Sequence, residues 1–547
     1  MEAREQSILT RRSFLAGSAV AAAMAGMTFT GCAQQGASSA SGSSSGEASS
    51  GSAASASSSE EAPALELTAA CAFASTNPSP VGNTSALMLA ANWHVFEGLY
   101  DLDLHTYKPY NGLAAGQPAK ISDTEYHIVI RDEAMFSDGT PVTAEDVVNA
   151  CALNMANPTY GEFLSFIQSA EALDDKTVSL VLKYPFDNLL RNRLSLVKVF
   201  PARMTEDELK TMPIGSGPWM YEEINGVDGG TISFVPNPYY NGVLKATASA
   251  MRWSIMLDGA ERTAALRDSK VQVIENVPMV DAEALKESKA TVEYVLGFNQ
   301  AFLMFNCLKA PFNDRRVRQA FFYAINSDKL ISNTMYGHAR PVTSFLPKTN
   351  VSYHEASTVY TYDPEKARQL LADAGIEGLE FEMLTSNTWV KDLAAQIQED
   401  LAEVGITMVN KETQIDWTSL APNDNGQALP FDVMLAAGDP ACFGNDADLL
   451  MSWWYGDNVW TQGRSCWAKV GDGKFEELQV LLQRGREAAG AAQQEVWNQC
   501  FDLISEEVPL YALFHRELAT GYQNAKISGF DPIGTTGVVF LGVTPLG

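Results

Sequence analysis

The chain is poor in positive charge. It carries 38 Lys plus Arg against 66 Asp plus Glu, for a formal net charge of −28. That balance argues against binding nucleic acid or an anionic membrane, because both demand basic surface. Histidine is scarce as well, with six residues at 94, 105, 127, 338, 354 and 515 and no helical i, i+4 pair. No two cysteines stand closer than Cys442 and Cys466. CxxC redox, haem and zinc patterns are therefore missing, and no cofactor or metal site is expected. Beyond residue 62 there is no GxSxG elbow, no GxxxxGK[ST] loop and no HExxH. Asp101-Leu102-Asp103 alternates carboxylates but lacks the later ligands and glycine of a calcium loop. Gly215-Ser216-Gly217-Pro218 is glycine-rich, yet its proline removes a backbone donor that a phosphate cradle would use. The sequence does not read as an enzyme.

What remains is a large apolar fraction on a long chain. At 547 residues and 46% hydrophobic, the protein can fill sizeable cores, and at roughly 100–200 residues per domain it should form three or four domains or lobes. The N-terminus is an address. Arg11 and Arg12 form a twin-arginine pattern before a soft apolar run from Phe14 to Phe29, too short and too rich in Ala and Gly to span a bilayer. The run ends in Phe29-Thr30-Gly31-Cys32, which resembles a lipobox; such a cysteine is acylated and becomes the mature first residue. Residues 33–62 are almost entirely Ser, Ala and Gly, a flexible tether with an r.m.s. span of roughly 30 Å. Residues 1–31 thus read as a signal peptide and 32–62 as a tether. Lipid, tether and globular body together suit a protein held on the extracytoplasmic face of a membrane. The six later cysteines read as small buried hydrophobes, with one disulfide, Cys442 to Cys466, allowed.

Alternation over Tyr126, Ile128 and Ile130 marks a half-buried strand, and Val178, Leu180 and Leu182 mark another, together suggesting antiparallel sheet. Thr143 with Asp146 makes a capping box for the helix between them. Further on, Asp363 caps a helix that opens with Pro364 and stops at Gly375. Leu379, Phe381 and Met383 then alternate, a helix spans 391–404, and Ile406 to Lys411 is the next strand. Strand, helix and strand in so few residues predict a βαβ unit with parallel pairing. Phe431 to Ala436 supplies a further strand of the same kind.

Ligands of parallel α/β sheets lie beyond the carboxyl ends of the strands. The loops there are Thr385-Ser-Asn-Thr-Trp389 and the acidic Gly438–Asp448, with Trp417 in the connection between their strands. A cleft floored by Trp389 and Trp417 and edged by carboxylates suits an amine-bearing, partly apolar ligand. Set against this, each Trp reads equally well as core, and Asp439, Asp446 and Asp448 read first as solvated loop residues. Asn387 and Asp439 are candidate polar contacts.

The segment from Tyr126 to Val148, YHIVIRDEAMFSDGTPVTAEDVV, resembles the signature of family 5 solute-binding proteins, the oligopeptide-, dipeptide- and nickel-binding lipoproteins of ABC importers. Val95–Tyr100, Pro213–Trp219, Phe305–Ala320, Tyr362–Ala367 and Pro509–Tyr511 match the same family in order.

The resemblance implies an α/β, two-lobed periplasmic-binding-protein-like fold of type II with lobes joined by two crossing strands. Lobe I would take 63–300, with an inserted subdomain at about 98–210, lobe II 301–510, and 511–547 would complete lobe I. It implies capture of a small solute, first a short peptide, by hinge closure, and delivery to an ABC permease and its ATPase by a monomer. Nickel chelates, opines, sugars, a peptide-sensing receptor and, remotely, an exported cofactor enzyme are the alternatives. In peptide-binding relatives the loop corresponding to Gly438–Asp448 often carries an aspartate for the ligand's amine. Here that position falls on Cys442, beside Phe443, with Asp439 or Asp446 as substitutes. Arg340 is a candidate for a ligand carboxylate or for an ion pair between the lobes.

Cys32→Ser should move the protein from the detergent phase to the soluble fraction, and Arg11→Lys with Arg12→Lys should block export. Cell fractionation checks both; a wild type that is itself soluble would contradict the lipid anchor.

Overall fold

The computed structural model describes residues 65–386, 388–413, 415 and 431–546. Arg11, Arg12, Cys32 and the tether lie outside them, as do Asn387 and Trp417.

An eleven-stranded mixed sheet runs through a two-lobed α/β body. Its order is Thr407–Thr413, Glu380–Ser386, Val433–Gly438, Thr291–Phe305, Leu510–Tyr522, Val273–Ile274, Glu66–Cys71, Ala250–Ile255, Thr231–Pro236 and Trp219–Ile224, with Ala339–Pro341 added against Leu510–Tyr522. The two long central strands pair antiparallel from Thr291 opposite Tyr522 to Met304 opposite Leu510. One end of the pair meets Val273–Ile274, and the other meets Val433–Gly438. Each long strand therefore belongs to both lobes. The register shifts between Leu296 and Gln300, and Gly297 sits inside that irregularity. A β-carbon on Gly297 would overlap the Gly534 carbonyl, so glycine is what lets the C-terminal segment cross the central strands here.

The βαβ reading holds in the second lobe. Glu380–Ser386 pairs parallel with both Thr407–Thr413 and Val433–Gly438, and the helix Ala394–Glu403 crosses between the first two. The helix Pro364–Asp373 is capped by the Asp363 side chain and followed by Gly375 at φ +73°. In the first lobe, Glu125–Val129 and Thr177–Leu182 pair antiparallel within a four-stranded sheet, covered by the helix Ala144–Ala156 with its Thr143–Asp146 capping box. Tyr126, Ile128 and Ile130 are all buried, as their alternation requires.

Each lobe has its own core, one gathered around Trp219, Trp253 and Phe234, the other around Phe302, Phe305, Phe321 and Phe381. Among the described residues no helix is long and apolar enough to cross a membrane. The disulfide allowed between Cys442 and Cys466 is not formed. All six described cysteines are free, and these two thiols face different backbone carbonyls, those of Asp439 and Gly463.

The C-terminal segment is pinned by a histidine. His94 Nε2 accepts from the Phe540 amide at 2.8 Å, so the ring proton sits on Nδ1, which donates to the Ala90 carbonyl at 2.8 Å. Burial lowers His94 to about 4, keeping the ring neutral in this arrangement.

A chain ending at residue 505 loses the whole of Leu510–Tyr522 and strips both edges of the central pairing. It should show no cooperative unfolding transition by circular dichroism. A melt matching that of the full chain would contradict the shared-strand account.

Candidate functional site

A cavity of about 400 Å³ lies where the second lobe's loop after Val433–Gly438 meets the first lobe. The helix Ala86–Val95 gives it Leu89, Asn92 and Trp93, and the strand Tyr100–Asp103 gives it Asp101, Leu102 and Asp103. Ser195, Leu196 and Lys198 follow the short helix Leu190–Leu194, and Val539 and Leu541 come from the segment that His94 pins. Cys442 and Phe443 line it from the second lobe. The floor is mostly apolar, and its volume lies in the range of small-molecule sites.

Aromatic rings carry the contact between the lobes. Phe443 meets Tyr160 edge-on at 5.7 Å and lies 5.1 Å from Trp453, which stacks on Phe163 at 6.2 Å. Tyr160 is oriented by donating its hydroxyl to the Asn83 carbonyl at 2.7 Å. Neither Tyr160 nor Trp93 stood out in the sequence. Trp93 precedes the matched Val95–Tyr100 segment, and that adjacency was the available signal.

Next to the rings is a buried charge cluster. Arg193 of the first lobe donates to both oxygens of Asp446, at 2.5 and 2.9 Å, and to Asp448 at 2.6 Å. Arg486 donates to Asp448 at 2.8 Å and lies 3.9 Å from Glu162, which accepts from Asn458 at 3.1 Å. Arg193 is 1% exposed. Asp446 and Asp448 are thus not solvated loop residues: they are charges held between the lobes. Burial pushes Asp448 up, but Arg486 and Arg193 outweigh it and hold the carboxyl below its ordinary value. Glu162 is the acid left over. Burial raises it to about 7, with Arg486 opposing and Asp448 and Asp457 adding to the rise.

The remaining candidates from the sequence are dispersed. Asp439 caps the turn Pro440–Cys442 by accepting from the Ala441 amide at 3.1 Å. Its other oxygen accepts from the Thr535 hydroxyl at 2.8 Å and the Thr536 amide at 3.1 Å, so it ties the loop to the C-terminal segment. Burial raises its pKa against those hydrogen bonds. The thiol of Cys442 is pushed well above 9 by burial and by Asp439, and stays neutral. Trp389 stands off the cavity wall. The Arg516 guanidinium lies 4.3 Å over its ring, and Phe514 is 6.2 Å away. Arg340 sits half-exposed on Ala339–Pro341, paired with Glu517, whose carboxylate also meets His338 at 2.9 Å. The structure brings Cys442 and Phe443 together on the cavity and places Trp389, Asp439 and Arg340 around the crossing strands. Among the described residues no group of His, Cys, Asp and Glu could hold a metal ion.

Two lobes sharing a pair of long strands, with a cavity and buried charges at their junction, define a two-lobed α/β binding protein. Residues 108–474 match the bacterial extracellular solute-binding proteins, family 5 Middle, and the chain belongs to that family. The glutathione-binding protein GsiB of Escherichia coli K12 is 25% identical over 503 residues, covering 87% of this chain and 96% of its own. The same-named protein of Pectobacterium atrosepticum is 28% identical over 351 residues, covering 61% and 66%. Among solved structures, a dipeptide-binding protein from Pseudoalteromonas sp. SM9913 with Met-Leu superposes with a TM-score of 0.75 at 18% identity, covering 88% of this chain and all of that one. NikA of Staphylococcus aureus with Ni(L-His)2 gives 0.75 at 17% identity over the same shares.

Glu162 gives a pH test with a definite sign. Its folded value is above its ordinary 4.5, so its contribution to stability is full below that value and is lost as pH rises through about 7. Glu162→Gln should therefore gain melting temperature relative to wild type as pH is raised from about 5 to about 8. A difference that stays constant with pH would mean that the carboxyl titrates normally.

Proposed function

We propose that this protein captures a short peptide in the cavity between its lobes and presents it to the permease of an ABC importer. The observation that carries this reading is the cavity of about 400 Å³, walled by both lobes and flanked by charges of the two lobes that are buried against each other. Closure removes water from the ligand and strengthens each polar contact around it. The binding named for the relatives supports a peptide: glutathione for the curated proteins and Met-Leu for the Pseudoalteromonas structure. The division into a first lobe of 63–300 plus 511–547 and a second lobe of 301–510 is supported by the two strands that cross near those limits. Attachment through a lipid on Cys32 and the tether would keep the capture step at the membrane face where a permease works, with the protein acting as a monomer.

Native mass spectrometry of the protein as purified, followed by titration calorimetry with a small peptide library, tests the proposal. We expect a retained small solute and at least one di- or tripeptide that binds with one-to-one stoichiometry. Retention of a nickel complex, or silence across the whole library, would overturn the peptide reading.

A further inference from the structure

Resting on the peptide reading, we infer that Asp103, on the first lobe's strand Tyr100–Asp103, is the carboxylate that receives the ammonium group of the ligand, in place of the acidic loop of the second lobe. The acids near the cavity differ in how they are already engaged. In the second-lobe loop Asp446 and Asp448 are ion-paired with Arg193 and Arg486, and Asp439, held by Ala441, Thr535 and Thr536, does not line the cavity. On the described wall of the cavity the acids are Asp101 and Asp103, two residues apart and so on one face of their strand. Asp101 is buried and ion-paired with Lys198, and its two oxygens also accept from the Gly98 amide.

Asp103 differs. Its side chain is 43% exposed, and its one ion-pair partner among the described residues is His105 of the following turn, with no Lys or Arg beside it. Its neighbours are hydrogen-bond donors of the turn that follows: the His105 amide at 3.0 Å, the Thr106 hydroxyl at 2.8 Å and a His105 ring nitrogen at 3.1 Å. Partial burial raises its pKa, but these hydrogen bonds, together with the electrostatic pull of His105, outweigh it and hold the carboxyl below its ordinary value, so it is ionised. A peptide ammonium moved from water into this largely apolar cavity needs an anionic acceptor to offset its lost hydration. Asp103 supplies one at the rim, with Leu102 and Leu104 flanking it in sequence and lining the same cavity. The ligand class that follows is a peptide with a free amino terminus and an apolar side chain.

Titration calorimetry with the dipeptide Met-Leu and with N-acetyl-Met-Leu tests this on wild type, Asp103→Asn and Asp439→Asn. Asn keeps an acceptor oxygen for the 104–107 turn, and an unchanged melting temperature of Asp103→Asn would confirm that the turn is intact. We expect Met-Leu to bind wild type more tightly than its acetylated form, and Asp103→Asn to weaken Met-Leu by about fivefold while leaving the acetylated form unchanged, the upper range for a half-exposed pair. That loss should shrink as salt is raised. Equal binding of the two dipeptides by wild type, or undiminished Met-Leu affinity in Asp103→Asn, would overturn the inference alone. A loss of Met-Leu affinity confined to Asp439→Asn would return the ammonium to the second lobe. Binding of neither dipeptide, within a library in which no other peptide binds, would overturn the peptide reading together with the inference.

Discussion

The pairing of Thr291–Phe305 with Leu510–Tyr522 is the constraint on which the rest of the structure depends. The two strands hydrogen-bond to each other along their length, and each also serves as a strand of both lobes. A sheet continuous through two lobes sets which edges face each other, so the loop after Val433–Gly438 is brought against the helix Ala86–Val95 and the strand Tyr100–Asp103. The irregularity between Leu296 and Gln300 interrupts the ladder midway. Gly297 lies there, and so does the passage of the C-terminal segment that carries Thr535, Thr536, Val539 and Leu541 to the cavity.

The junction is stabilised by two kinds of contact with different consequences. The rings of Tyr160, Phe163, Phe443 and Trp453 exclude water without demanding strict alignment. The charges of Arg193, Asp446, Asp448, Arg486 and Glu162 do demand it, because a buried ion is tolerable only with its partner in place. Such a cluster adds little net stability but penalises every other way of seating the lobes. Three carboxylates against two guanidiniums leave one acid in excess, and Glu162, raised to about 7, is where that excess falls. Asp439, Asp446 and Asp448 are hydrogen-bonded or ion-paired within the fold, and Asp103 on the cavity wall has His105, and no Lys or Arg among the described residues, beside it.

Much of the local architecture was legible in the sequence because local rules govern it. The capping box at Thr143 and Asp146, the helix from Pro364 with glycine just beyond its end, and the burial of Tyr126, Ile128 and Ile130 each follow from a few neighbouring residues. The parallel pairing of Glu380–Ser386 with its neighbours follows from the length of the crossover. The site was less legible. Trp389 sits in an ordinary post-strand loop and lies beneath Arg516, more than a hundred residues away, which no local pattern announces. Arg340 was readable as a cation near the crossing but not as a partner of Glu517.

By itself the sequence determined the family, the two-lobed α/β fold and the parallel pairing of the βαβ unit, because periodicity, caps and motif order are carried by short segments. Only the tertiary structure decided which charges are used up. A carboxylate's role depends on what stands within a few ångströms of it. For Asp446 and Asp448 that is Arg193, some 250 residues earlier, whereas Asp103, among the described residues, is met by His105 and Thr106 of its own turn and lines the cavity.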